Sequence, residues 1–404
     1  MSDSPRLGGK SALLVFVLVL VAYVVESQLA QYIQATLKYR QPYFLFYAAH
    51  SSFWIIFPLH VAYLSLTTGR PVKDYMRGLS LAIKRHVAGS FKGSEDIKFP
   101  WPRFATMLGL MTVGVTLPAL LWFCAVSLAP LTDVTAIWNA NAFFAYMIAV
   151  KMFKLPWDRK RMFAVVLATG GVMAVIYGGT SIQEEKNKQP VVSRAVPTAT
   201  APLLGDLLTL VGSIGYGLYQ VLYKKHIALP SDPGREESSQ SSYAPILRAS
   251  FDDASDLDPP DEDLALDPQS ISDTMVFPPP FGLHPNLLTS LVGVLTLLLL
   301  WIPLPVLHYM GAEPFHWPAN WHVALVILGI ALSGVVYNAG FMILLGVWGP
   351  IIASIGNLMT TVFTFASDVV FGAGLEVVTF WNFMGSVAIV AAFGILVEDL
   401  IVNR

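Results

Sequence analysis

The chain has 404 residues and a formal net charge of −2 at pH 7, with 55% hydrophobic and only 13% charged residues. A soluble globular chain carries about 25% charged residues, so a water-soluble enzyme is excluded and an integral membrane protein is implied. The near-neutral balance offers no basic surface for nucleic acid.

A bilayer core about 30 Å thick takes about 20 mostly apolar residues per helix. Ten such runs stand between charged residues, prolines and glycines, at 11–34, 43–65, 104–128, 131–152, 161–179, 203–223, 286–309, 320–345, 348–371 and 377–398. The expected fold class is therefore an all-α integral membrane protein of about ten transmembrane helices.

The first run follows Arg6 and Lys10, as a secretory signal would. It continues past Val25 with no small-x-small cleavage site, beyond the roughly 7–15 apolar residues of a signal core, and is read as a retained helix. Its polar cluster is Glu26, Gln28 and Gln31. A carboxyl beside a mid-membrane cavity can couple transport to protons. Glu26 also lies within about 9 Å of the outer end of the run, close enough to reach the interface instead.

Between the second and third runs, DYMRGLSLAIKRHV mixes Met76, Leu79 and Ile83 with Arg77, Lys84 and Arg85. It reads either as a short helix on an anionic leaflet or as a solvated linker. The third and fourth runs are parted only around Pro130, and the eighth and ninth around Gly346–Gly349, so each pair should be a tight hairpin. Cys124 is the only cysteine, which rules out an internal disulfide. Pro118 and Pro350 free backbone carbonyls and are hinge candidates.

Gly170, Ala174 and Gly178 form a small-xxx-small stripe in the fifth run, suited to close helix packing or to a homodimer contact. In the sixth run Tyr216, Tyr219, Gln220 and Tyr223 share one face before Lys224 and Lys225. Tyr223 reads as an interfacial anchor, and Tyr216, deeper, as a ring for substrate stacking. Asp133 and Asp206 open the fourth and sixth runs as helix caps. His308, His316 and His322 gather outside the seventh and eighth runs as loop histidines.

The segment 230–285 holds twelve carboxylates against two arginines. So much charge with so little apolar surface should leave it a disordered acidic linker. Twenty of the 25 Lys and Arg fall on the side of the N-terminus and of this linker, which predicts both termini in the cytosol.

The ten runs fall into two sets of five, 1–180 and 203–404, the second interrupted by the linker at 230–285. WFCAVSLAPLTDVTAIWN (122–139) and GFMILLGVWGPIIASIGN (340–357) align without gaps, 218 positions apart. An odd number of spans per half makes the repeat inverted, a signature of secondary transporters whose substrate site lies near mid-membrane. Asn139 and Asn357, each about 12 to 14 Å deep, would then face one another across a cavity. Trp138, Asn141, Asn338 and Tyr216 are candidates for its wall, with interhelical hydrogen bonding as the plainer role for the amides. Asp368, near the outer end of the ninth run, is a second candidate for proton coupling.

These hairpins, the stretch GDLLTLVGSIGYGLYQVLYKKH (205–226) and the two five-run halves resemble the EamA-type drug/metabolite transporter superfamily. YRQPYFLFYAAHSSFWIIFPLHVAY (39–63), EPFHWP (313–318) and the step from Asp368 to Val370 are similar to the fungal vacuolar-membrane branch related to subfamily F of solute carrier family 35. The resemblance covers the spans and not the acidic linker. It implies a cavity lined by spans one to four and six to nine, with five and ten at the periphery or in a homodimer contact. It also implies a vacuolar membrane, or else Golgi or endoplasmic reticulum. Some relatives are linked to thiamine or nucleotide sugars, yet no paired mid-membrane lysine for a diphosphate is present.

No P-loop, HExxH, GxSxG or other catalytic spacing occurs, and no cofactor is implied. The expected function is a secondary transporter or exchanger of a small polar metabolite, with membrane lipid and that solute as partners. A non-transporting receptor or scaffold acting through the acidic linker is the alternative.

Overall fold

The computed structural model describes residues 9–88, 99–128, 134, 137–154, 158–186, 202–229, 276–371 and 379–402, and every regular element among them is a helix. The acidic residues 230–275, Asp133 and the expected turn at Pro130 lie outside the described residues. Among the described residues four stretches are long and apolar enough to cross a membrane: Ser11–Ala30, Pro42–Thr68, Trp101–Trp122 and Trp321–Ser367. A fifth is gained if Leu283–Leu299 and Pro303–Tyr309, bent by 41°, are one span.

Helix α1 (Gly9–Ala35) shows how an apolar helix chooses its faces. Leu14, Leu18, Val21 and Val25 recur every three or four residues and are exposed as one outward stripe. Phe16, Val19 and Leu20 on the other side are buried against Leu344. The second run is broken into α2 (Pro42–Ser51), a 3-10 turn (Ser52–Ile55) and α3 (Ile56–Thr68). The backbone groups freed at that break are met by Ser290, whose hydroxyl donates to the Phe53 and Trp54 carbonyls (3.1 and 2.9 Å) and accepts the Phe57 N–H at 2.8 Å. Irregular backbone survives in a membrane protein only where such partners exist. Ser290→Ala is expected to cost about 1–3 kcal/mol, seen as a lower Tm in detergent.

Helix α4 (Val72–Ala88) bears out a helix for the segment between the second and third runs, but not one lying on lipid. Tyr75, Leu79 and Ile83 are buried in one cluster with Val61 and Leu283, and only Met76 of the predicted apolar set stays exposed. The returning chain crosses α4 so closely that a side chain at Gly78 would overlap the Val276 carbonyl. Arg85 lies over the Phe277 ring at 5.2 Å, fixing the same crossing.

The remaining helices are α5 (Trp101–Leu128, containing Pro118), α6 (Asn141–Phe153), α7 (Arg159–Lys186) and α8 (Pro202–Leu222), which runs on as a π turn (Tyr223–Ile227). After the linker come α9 (Leu283–Leu299), α10 (Pro303–Tyr309), α11 (Trp321–Phe371) and α12 (Phe380–Val402).

Helix α11 is two helices meeting at Gly349. The Tyr337 hydroxyl donates to Asn357 Oδ1 at 3.0 Å. Twenty residues of straight helix would hold that pair about 30 Å apart, so the chain reverses between them. Gly349 makes the reversal at φ 77, ψ 173, a region open essentially to glycine alone, and Pro350 starts the second arm. The turn frees carbonyls at the end of the first arm. The Lys224 ammonium, buried, donates to the one at Gly346. Sequence places Lys224 among the solvated charges; it is instead a bolt between α8 and α11.

Helices α7 and α12, the fifth and tenth runs, lie against each other within one chain. A Cβ on Gly171 would sit 2.7 Å from the Gly385 carbonyl oxygen, and one on Gly385 would overlap the Gly171 carbonyl. Gly170, from the predicted stripe, faces open space. Gly385→Leu is expected to lower stability by about 1–3 kcal/mol by wedging this pair apart. Gly394→Leu on the same helix meets nothing within 4 Å and should leave the Tm unchanged, so thermal melts of the two variants separate packing from composition.

Candidate functional site

Glu26 and Tyr23 stand one turn apart on α1. Val19, Glu26 and Ile33 are spaced by seven, so they lie nearly above one another on the helix. Val19 and Ile33 are 2% and 0% exposed, while Glu26 between them is half-buried. The outward stripe runs on through Val25 to Tyr32, and Glu26, next to Val25, is turned away from it by 100°. Glu26 therefore lies on the face of α1 that packs into the bundle. Its Oε1 would be 3.1 Å from a Cβ at Gly334, which places the carboxyl against α11. Among the described residues no cation and no hydrogen-bond donor pairs with it.

Helix α11 presents Gly334 and Asn338 on one line and Tyr337 and Phe341 on the next, each pair four residues apart. The Asn338 amide donates to the Gly334 carbonyl one turn back at 2.9 Å. The Tyr23 and Tyr337 rings are 5.3 Å apart at 52°. Tyr337 stacks on Phe341 at 6.0 Å, and Phe341 on Tyr216 at 6.0 Å. Tyr216 stacks in turn on Trp138 at 5.4 Å. An unbroken aromatic wall thus runs from α1 through α11 and α8 to Trp138, joining both halves of the sequence.

Local chemistry sets each member. Trp138 is held by its carbonyl, which accepts from Asn141 Nδ2 (2.8 Å) and Ser213 Oγ (3.2 Å). The indole lies over Gly212, where a Cβ would come within 3.3 Å of it. Asn141, buried at 1%, thereby secures the start of α6, and its own Oδ1 has no partner among the described residues. Asn139 is buried at 5%, with no hydrogen bond to its amide among the described residues. Asn357 is buried at 6% and accepts from Tyr337. The helix that follows Asn139 packs on the arm that carries Asn357, where Ala142 and Tyr146 share a core with Ile351, Ile355 and Leu358. The side chain of Asp368 lies outside the described residues.

Tyr219 and Gln220 turn toward α11, the first donating to Met342 Sδ at 2.7 Å and the second accepting from Ser354 Oγ at 2.5 Å. Tyr223, expected at the interface, is fully buried with Met111 and Leu288. Reading residues one helix at a time missed Tyr23, Tyr337 and Phe341. The signals were present in the spacing of Tyr23 to Glu26 and of Tyr337 to Phe341, both helical neighbours.

A clasp closes one end of the bundle. Both Glu313 oxygens accept backbone N–H groups at the start of α2, from Tyr43 (2.9 Å) and Phe44 (3.0 Å). Gln41, in the capping position, makes no cap bond and instead donates through Nε2 to the His316 carbonyl at 2.8 Å, as the Tyr39 hydroxyl does at 2.9 Å. The motif EPFHWP thus supplies a helix cap from 270 residues away. Burial holds the Glu313 carboxyl above the ordinary carboxylate range, against the pull of the two amides. A carboxyl whose pKa is higher folded than unfolded contributes stability that is complete at acid pH and is lost as pH rises through the folded value. Glu313→Gln, which also loses one acceptor, is expected to lower Tm at pH 4 and to flatten its fall above 4.5, the ordinary glutamate value. A wild-type slope in the variant would show that another group carries it.

No family model matches the chain. It is similar to the thiamine-repressible mitochondrial transport protein THI74 of Saccharomyces cerevisiae, 22% identical over 336 residues that cover 78% of this chain and 72% of that protein. In fold it resembles a protein of known crystal structure, with a TM-score of 0.55, 11% identity and 96% of both chains covered.

Proposed function

We propose that the chain is a secondary transporter or exchanger of a small polar organic solute, working by alternating access as ten spans in two inverted five-helix repeats of the EamA type. The observation that carries this reading is the half-buried set of Glu26, Tyr23, Tyr337, Asn338, Tyr216 and Trp138, drawn from both halves of an apolar bundle. Asn139 and Asn357 back that wall, and Glu26 is its proton-coupling group. The Gly349 reversal and the packing of α6 on α11 support the inverted pairing. Likeness to a transport protein over most of the chain supports the activity.

The Lys and Arg asymmetry supports cytosolic termini, and the sequence resemblance supports a vacuolar membrane. Open space at Gly170 supports a homodimer through the outward faces of α7 and α12.

A thermal-shift panel of polar metabolites, organic cations, nucleotide sugars and amino acids at pH 5 and pH 7 tests the reading. A ligand at a hundredfold excess over its Kd stabilises by about 2.7 kcal/mol. A hit that Asn139→Ala abolishes, in a variant that melts like the parent, is the expected result. A well-folded protein with no hit at either pH would favour a scaffold acting through its acidic linker.

A further inference from the structure

The acidic segment 230–275 leaves and rejoins the described chain beside one helix, α4. Where it leaves, the His86 ring of α4 donates through Nε2 to the His226 carbonyl at 2.8 Å. Where it returns, the Val276 N–H donates to the Asp74 carbonyl at 3.1 Å, the Val276 carbonyl lies against Gly78, and the Phe277 ring lies under Arg85. Asp74 and His86 belong to opposite ends of α4, about 18 Å apart along its axis. The 46 residues 230–275 reach about 150 Å when extended, far more than joining those two points takes.

The face of α4 that points away from the bundle is basic. Tyr75, Leu79 and Ile83 are buried against Val61 and Leu283. Lys73, Arg77, Ser80 and Lys84 recur every three or four residues and fall within about 60° of one another on the opposite side, at about 100° per residue. Lys73 and Arg77 are exposed, and Ser80 and Lys84 are half-buried. Among the described residues none of these three cations is in an ion pair, and the helix's own carboxylate, Asp74, sits in the first turn off that line.

Charge, and what the helix has left to offer, select the partner. Residues 230–275 hold twelve carboxylates against two arginines, with seven of the carboxylates between Asp252 and Asp263. An amphipathic helix binds a lipid surface by sinking its apolar face into the headgroup boundary, and α4 has already buried that face in protein. Single exposed ion pairs are weak. A segment tied down at both ends, however, meets the helix at an effective concentration on the order of millimolar, so that several pairs form together.

We propose that the acidic segment 230–275 docks on the outward face of α4, its carboxylates between Asp252 and Asp263 lying against Lys73, Arg77 and Lys84. The face is thereby occupied from within the chain and withheld from anionic lipid.

The test uses full-length Cys124→Ser protein in detergent with one thiol on each side, Ser80→Cys on α4 and Ser255→Cys in the acidic run, joined by a short bismaleimide. An intramolecular cross-link is expected at about 0.1 M salt, where charges are screened beyond about 10 Å, and its formation should slow at least about fivefold at about 1 M, where screening sets in at about 3 Å. Lys73→Gln, Arg77→Gln and Lys84→Gln together should slow it by a similar factor at low salt and remove most of the salt dependence. Asp252→Asn, Asp253→Asn, Asp256→Asn and Asp258→Asn together should do the same from the other side, so the outcome does not hang on one variant folding.

A rate that ignores both salt and neutralisation shows a passive tether and overturns the docking. A cross-link of doubled mass overturns it in favour of a second copy of the chain. In nanodiscs at constant salt the rate should stay the same when phosphatidylglycerol replaces phosphatidylcholine; loss of the cross-link there overturns the proposal in favour of anionic lipid.

Discussion

Gly349→Val is expected to cost about 3 kcal/mol or more and to leave little folded protein in a mild detergent. The residue sits at φ 77, ψ 173, where a side chain is strained and a β-branched one most of all. A Cβ there would meet nothing within 4 Å, so the penalty belongs to the backbone and not to crowding. Everything downstream depends on that reversal: Asn357 reaches Tyr337 only because the second arm folds back, and Lys224 caps a carbonyl that the turn sets free. Thermal unfolding of Gly349→Val against Gly394→Val, whose site is equally open but not at a turn, separates the two causes. A Gly349→Val protein as stable as the parent would mean that the reversal is not made there.

Asn357→Ala should cost about 1–3 kcal/mol, whereas Asn139→Ala should be nearly neutral. The asymmetry comes from what each amide holds. Asn357 Oδ1 is the acceptor for the Tyr337 hydroxyl, and removing it strands a polar group inside the bundle, while no described donor loses a partner at Asn139. Adding Tyr337→Phe to Asn357→Ala removes the stranded hydroxyl as well. The double variant should therefore melt above the sum of the two single losses, a coupling that a double-mutant cycle reads directly. Additive losses would place Tyr337 and Asn357 in separate interactions.

Much of this was legible in the sequence because helices in lipid are written as long apolar runs, and because Asn139 and Asn357 repeat at a fixed distance. Trp138 beside Asn139, and Tyr216 on one face of its helix, were visible for the same reason, and the structure stacks them together. What was not visible depends on pairs far apart in the chain. The inward orientation of Glu26 is set by α11, 300 residues later, and the burial of Lys224 follows from carbonyls freed at Gly349. Ser290 and Glu313 look like ordinary polar residues until the broken second run supplies the amides and carbonyls that they satisfy. In each case the local spacing was right and the partner was tertiary.

The central claim, a site between the two halves that opens to each side in turn, is tested most directly by accessibility. Cys124 is the only cysteine, so Cys124→Ser with Asn338→Cys leaves one thiol on α11, one turn from the Gly334 that Glu26 approaches. A membrane-impermeant thiol reagent would be applied to sealed vesicles of each orientation. Alternating access predicts labelling from both sides, with a ligand that binds the site slowing both reactions. Labelling from one side alone, or from neither in a folded protein, would contradict a transporter and leave a receptor or scaffold.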